Sequence, residues 1–254
     1  MKPGLLALPP ELFFQIYSYI LPHTSTTTPH PLPSIGVTSV SPSPPPLSAL
    51  LVHPLLTSTL LQHYYGLATW KLVLSHSFNF FRTDPELENL AASAALKKFK
   101  RVELVFFLDI LLVQEYPSFG LQAFAAEIRR RADRACDVLG LATELRHLTV
   151  SWMDTTCTRS WESKKSILEP LRRLKGVEVE VGEIRICGLE KDEEQAREQK
   201  EAVVQALEDV LGPVSSRRKS AVQEKGETVK ILEVNVRQQR CGWPGNAVDV
   251  VRLP

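Results

Sequence analysis

The sequence predicts an α/β fold in which a helical N-terminal module precedes an irregular βα repeat built around a mostly parallel sheet. Three observations predict it. Residues 12–70 carry no charge, short β-prone runs alternate with longer amphipathic stretches from Ala68 onward, and three of the strand approaches resemble one another. A chain of 254 residues allows one or two domains, and a composition 44% apolar and 23% charged excludes disorder throughout. We expect a helical module over residues 1–66 and an α/β body over residues 67–254.

The first helix is expected over Leu8–Leu21. Pro9 and Pro10 open it where a missing N–H costs little, and Glu11 suits the positive helix end. Its interior leaves only Gln15 and Ser18 polar, so apolar groups cover nearly the whole circumference. Leu12, Ile16 and Ile20 make one stripe at i, i+4 and i+8, and Phe13 with Tyr17 makes another. Such a helix must be covered on more than one side. Either one stripe packs on the chain and the other enters a partner's groove, or both are internal.

Residues 22–46 hold eight Pro and ten Ser or Thr, a composition that cannot bury enough apolar surface to offset its ordering entropy. A disordered Pro/Ser/Thr insertion is expected there. Leu47–Tyr65 is apolar again, either one helix interrupted near Pro54 or two short ones, ending at Gly66.

Strands are expected at Thr69–Leu74, Arg101–Leu108, Arg146–Trp152, Val177–Ile186 and Val229–Val236. Helices are expected between them at Pro85–Lys98, Phe119–Leu139, Ser163–Leu174 and Lys191–Leu211. In ALKKFKRVELVF, LATELRHLTVSW and LEPLRRLKGVEVEV, leucine or phenylalanine precedes a basic residue and then an alternating strand. This reads as a degenerate, leucine-rich-repeat-like unit, or as a single α/β layer without repeat ancestry.

Composition also bounds function. A net charge of +1 argues against a general nucleic-acid or acidic-membrane role, and no run of about 18 apolar residues predicts a membrane span. Pro9, Pro10 and Glu11 interrupt the apolar N-terminus, which makes a signal peptide an unsuitable reading. The four cysteines, Cys136, Cys157, Cys187 and Cys241, form no C-x-x-C pair, pointing to a reducing intracellular compartment, cytoplasmic or nuclear.

Catalytic chemistry finds little support. There is no G-x-S-x-G elbow, P-loop or G-x-G-x-x-G, and Gly242 to Gly245 encloses Pro244 without a following helix. His53, His63 and His76 lie in apolar surroundings without carboxylates, and Asp109 with Glu115 is a commonplace pair of loop acids. Arg129, Arg130, Arg131 and Arg134 read as a solvated helix face. Arg217, Arg218 and Lys219 read as a polar loop. No enzyme, cofactor or metal is expected.

The segment LPPELFFQIYSYIL, Leu8–Leu21, is the most informative. Leu8, Pro9, Glu11, Leu12, Ile16, Tyr19 and Ile20 fall position by position on the opening of the F-box family, which the segment resembles. PLSALLVHPLLTSTLL from Pro46 is similar to the family's second helix, with His53 and Pro54 where a Cys-Arg pair is usual. Ala49–Ser75, with Tyr65 and Gly66 before the strand at Trp70, is similar to fungal F-box-like proteins. The resemblance implies docking on a Skp-type adaptor of a cullin-RING ubiquitin ligase and capture of a protein target by the C-terminal body. It assigns partner binding to Leu8, Pro9, Glu11, Leu12, Phe13, Ile16, Tyr17, Tyr19, Ile20, Leu47, Leu50 and Leu51.

Overall fold

The computed structural model describes residues 8–21, 26–27, 37–75, 85–109, 120–156, 161–186, 193–212 and 215–216. All lie in one compact unit, Met1–Arg217. A second unit, Arg218–Pro254, lies outside the described residues, and with it the expected strand Val229–Val236.

The sheet has seven strands in sequential order. They are β1 (Thr26–Thr27), β2 (Val37–Ser41), β3 (Thr69–Ser75), β4 (Arg101–Leu108), β5 (His147–Asp154), β6 (Glu178–Ile186) and β7 (Ser215–Ser216). β1, β2 and β3 pair antiparallel, whereas β3 through β7 pair parallel. Around them lie α1 (Pro10–Ile20), α2 (Leu47–Leu50), α3 (Pro54–Leu67), α4 (Pro85–Ala92), α5 (Gly120–Leu139), α6 (Glu162–Lys165) and α7 (Glu193–Leu211). No described helix is long and apolar enough to cross a membrane.

Alternation explains the sheet's two faces. Leu72 and Leu74 of β3, Leu104 and Phe106 of β4, and Val150 and Trp152 of β5 occupy matched register rows and are buried. Over that face α4, α5, the 3-10 segment Glu169–Arg173 and α7 touch one another in chain order. A sequential parallel order with connections of one hand must bring every crossover to the same face, so the helices form one layer. The opposite face carries polar groups. There Ser151 Oγ donates to Glu103 Oε1 at 2.7 Å and accepts from the Glu183 N–H at 3.1 Å, while Lys71 Nζ lies 3.5 Å from the same Glu103 oxygen.

At Ser151 the register against β6 shifts, and Gly182 sits at that irregularity. A Cβ there would lie 2.3 Å from Ser151 Oγ and 2.7 Å from Thr149 Cγ2. Glycine therefore permits the close approach of the two strands. At the end of α7, Gly212 takes φ +85° and its N–H bonds back to the Glu208 carbonyl at 2.8 Å, closing the helix.

Three expectations are corrected. Of the expected disordered insertion over 22–46, residues 22–25 and 28–36 lie outside the described residues, whereas Val37–Ser41 form β2, which pairs with β3 from Val37↔Leu72 to Ser41↔Thr69. Val40 and Pro45 are buried. Composition missed this because the segment pairs with the edge of β3 and buries Val40, and long-range pairing offsets an entropy cost that local counting leaves uncompensated. The expected helix Pro85–Lys98 stops at Ala92, where Ser93 Oγ accepts from the Ala95 N–H at 3.2 Å, and resumes as a 3-10 turn at Leu96–Lys98. The expected helix Ser163–Leu174 divides into α6 and a 3-10 segment: the Ile167 and Leu168 N–H groups turn to the i−3 carbonyls of Lys164 and Lys165, and Pro170 opens the second piece.

Trp70 joins the module to the body. It packs against both apolar clusters, stacking on Phe99 with ring centroids 4.1 Å apart and on Tyr65 at 6.3 Å.

Candidate functional site

The two apolar stripes of α1 have different fates. Phe13 is half-buried, and Tyr17 and Leu21 are buried with Val40, Leu60, Tyr64 and Ala68 in the core of the helical module. The Tyr17 hydroxyl donates to the Leu56 carbonyl at 3.2 Å, and burial pushes its pKa up. Tyr17 is therefore a core residue, not part of an exposed partner-binding stripe. A tyrosine near the helix centre meets α3 as soon as the two helices cross, and its ring fills that contact.

The second stripe faces outward. Leu12 is 43% exposed and Ile20 36%, with Ile16 half-buried between them; Tyr19, at 89%, projects almost wholly into solvent. Leu8 is half-buried, and Pro9 and Glu11 are exposed at the start of the helix. Phe14, 41% exposed, stacks on His63 of α3 with centroids 4.8 Å apart and planes at 15°.

The corner between α2 and α3 adds a second exposed apolar set. Leu47, Leu51, Val52 and Leu55 are each more than 60% exposed, and Leu50 is half-buried. The corner is held by its own hydrogen bonds. Thr57 Oγ1 donates to the Leu50 and His53 carbonyls, and His53 Nδ1 accepts from the Leu55 N–H at 3.3 Å. His53 and Pro54 thus work as N-cap and first-turn residues of α3.

Nine of the ten large apolar side chains exposed among the described residues belong to α1, α2, α3 and their corner; the other is Leu141. No charge dilutes them, because residues 12–70 have none. This exposure is concentrated on one module rather than scattered singly as is usual for folded proteins.

The other sequence candidates are structural. His53 caps α3, His63 is stacked under α1, and His76 lies outside the described residues. Asp109 accepts from Thr155 Oγ1 at a long 3.5 Å, and Glu115 lies outside the described residues. Among the described residues no group of His, Cys, Asp and Glu is placed to hold a metal ion. The expected solvated arginine face is corrected at Arg131, which is buried and donates to the Ser75 carbonyl. Arg129 lies 2.6 Å from Glu169, and Arg130 bonds Glu127. Cys136 is buried, and burial pushes its thiol up to about 12, leaving it unreactive.

Sequence reasoning missed one constellation. At the carboxyl end of β5, Asp154 Oδ2 accepts from Lys164 Nζ at 2.6 Å, and both side chains are 1% exposed. Asp154 Oδ1 accepts from the Thr156 N–H at 2.8 Å and from its hydroxyl at 2.6 Å, and the Lys164 ammonium lies 5.5 Å from the Trp161 ring centre. Both carboxylate oxygens serve local partners, so the pair ties α6 to the strand end. No sequence signal links an Asp and a Lys ten positions apart. Among known proteins, the chain matches no family model, no curated protein and no solved structure.

Proposed function

We propose that the chain is a non-enzymatic, F-box-like adaptor of the cytoplasm or nucleus. Its N-terminal helices bind a Skp-type subunit of a cullin-RING ubiquitin ligase, and its α/β body captures a protein target. The supporting observation is the outward stripe Leu12, Ile16 and Ile20, accompanied by Leu47 and Leu51, on a module that already buries Tyr17 as its own core. Each outward side chain fully buried by a partner contributes roughly 1.5–3 kcal/mol before ordering costs. The sequential strand order under a single helical layer supports a leucine-rich-repeat-like body, in which strand ends and the open sheet face carry specificity.

The experiment is co-purification with a Skp adaptor. Wild type retains the adaptor, and Leu12→Asp or Ile16→Asp releases it while the protein stays folded. A folded wild type that captures no adaptor removes this reading. The alternative, a ligase-independent interaction or structural protein, draws support from the packing of Phe13, Tyr17 and Leu21 against α3 and β2.

A further inference from the structure

Between the α2–α3 corner and the start of the parallel sheet runs an open groove of about 810 Å³. Its helical wall is uncharged, with Leu50, Leu51, Pro54 and Leu61 interspersed with polar side chains such as Ser58 and Gln62; its body wall carries Lys98, Lys100 and Glu144. Tyr65 joins the two walls, with the Lys98 ammonium 5.4 Å from its ring centre.

The charge of this end of the molecule is lopsided. Arg101, His147 and Glu178 stand in register as the first residues of β4, β5 and β6. Lys97, Lys98, Arg101 and Arg146 are exposed around them, and Lys100 is half-buried. Against these five basic side chains stand Glu144, 3.6 Å from Lys100, and Glu178, 3.0 Å from the His147 imidazole. One wall therefore favours leucine-like side chains while the other leaves an excess of positive charge. A ligand satisfying both must be apolar along one side and acidic along the other.

We propose that this groove binds an acidic peptide segment with apolar anchors, contributed by the protein that the chain captures. The assignment of the occupant as a target rests on the adaptor reading; the chemistry of the groove does not. Nucleic acid fits less well because the cations lining the groove are only Lys98 and Lys100, with Glu144 beside them, and the whole chain carries only +1.

The test is fluorescence anisotropy on the full chain with three labelled probes: a peptide alternating Glu and Leu, one alternating Lys and Leu, and a single-stranded oligonucleotide. The acidic peptide is expected to bind, more weakly as salt rises, and the basic peptide is not. Lys98→Glu combined with Lys100→Glu, or Leu61→Ser alone, weakens binding about tenfold or more, with the far-ultraviolet spectrum unchanged. The proposal is overturned by equal binding of the two peptides, by a loss under about twofold in both variants, or by tighter binding of the oligonucleotide. Skp-adaptor capture, measured in parallel, separates the two readings. The lysine variants keep it, and a wild type that binds the acidic peptide without capturing the adaptor loses the ligase assignment while the groove stands.

Discussion

The ring of Phe14 stacks on that of His63, 4.8 Å between centres and 15° between planes, so an imidazole forms part of the contact between α1 and α3. His63 Nε2 is buried without a hydrogen-bond partner, and burial lowers the His63 pKa below 6.5. Residues 12–70 hold no charge on α1, α2, α3 or β2 to offset a proton placed there.

From this follows a pH dependence with a definite sign. A histidine depressed in the folded state is neutral there while the unfolded chain already binds a proton. Its contribution is complete above pH 6.5 and is lost as pH falls below that value. Thermal unfolding followed from neutral to mildly acidic pH should show a falling melting temperature, and His63→Phe should flatten that fall. An unchanged slope in the variant would place the acid sensitivity elsewhere.

The two stripes of α1 should respond oppositely to substitution. Tyr17→Ala removes a buried ring and its bond to the Leu56 carbonyl, costing about 3 kcal/mol or more in urea unfolding. Leu12→Asp, on the exposed stripe, should change stability by no more than about 0.5–1 kcal/mol. Equal, large losses from both would mean that the outward stripe is covered by the chain itself.

The Asp154–Lys164 pair should be costly to halve and cheap to remove. Lys164→Met leaves a buried carboxylate without its cation, an expected loss of about 3–5 kcal/mol. Asp154→Leu with Lys164→Met should recover most of it. A double-mutant cycle that finds the two substitutions additive would show that the residues do not act as a pair.

Gly182→Ala should cost about 1–3 kcal/mol, because its methyl meets Ser151 Oγ and displaces the hydroxyl from Glu103 and the Glu183 N–H. Ser151→Gly in the same chain should relieve the closer of the two contacts and recover part of the loss, the Thr149 Cγ2 contact remaining, and chemical denaturation measures both. Full stability in the single variant would show that the strands separate freely at this point.

Removing His23 to Pro44 should destabilise the whole chain, not merely shorten a linker. The deletion takes β2, strips the antiparallel partner from β3 and removes Val40 from the module core. Val40→Asp tests the same packing with one residue and should lower the melting temperature by several degrees or more. A melting temperature unchanged by both would contradict the packing of β2.

Much of the architecture was legible along the chain. Arg101–Leu108 emerges with its expected bounds because its alternation is unbroken, and α5 begins within one residue of the expected start. Other boundaries were not, since the Ser93 hydroxyl at the end of α4 and the i−3 hydrogen bonds of Ile167 and Leu168 after α6 are local hydrogen bonds that hydrophobic periodicity does not register. For the candidate site, the twelve residues named from the sequence fall on the module that concentrates apolar exposure, yet Tyr17 turned inward. The groove beside Lys98 and Lys100 had no sequence signal, because its walls come from segments far apart in the chain, Leu50 to Tyr65 against Lys98, Lys100 and Glu144, and meet only when the sheet forms.

By itself, the order of residues determined that α1 carries two apolar stripes, that a charge-free segment precedes a charged one, and that helices alternate with strands. Those properties depend on spacing of a few residues, which helical and extended backbones translate directly into faces. Tertiary structure decided which stripe became core, that a proline-rich segment supplies a strand, and that Asp154 meets Lys164. Each outcome depends on contacts between distant segments, where the energy gained at a surface is set by what arrives against it.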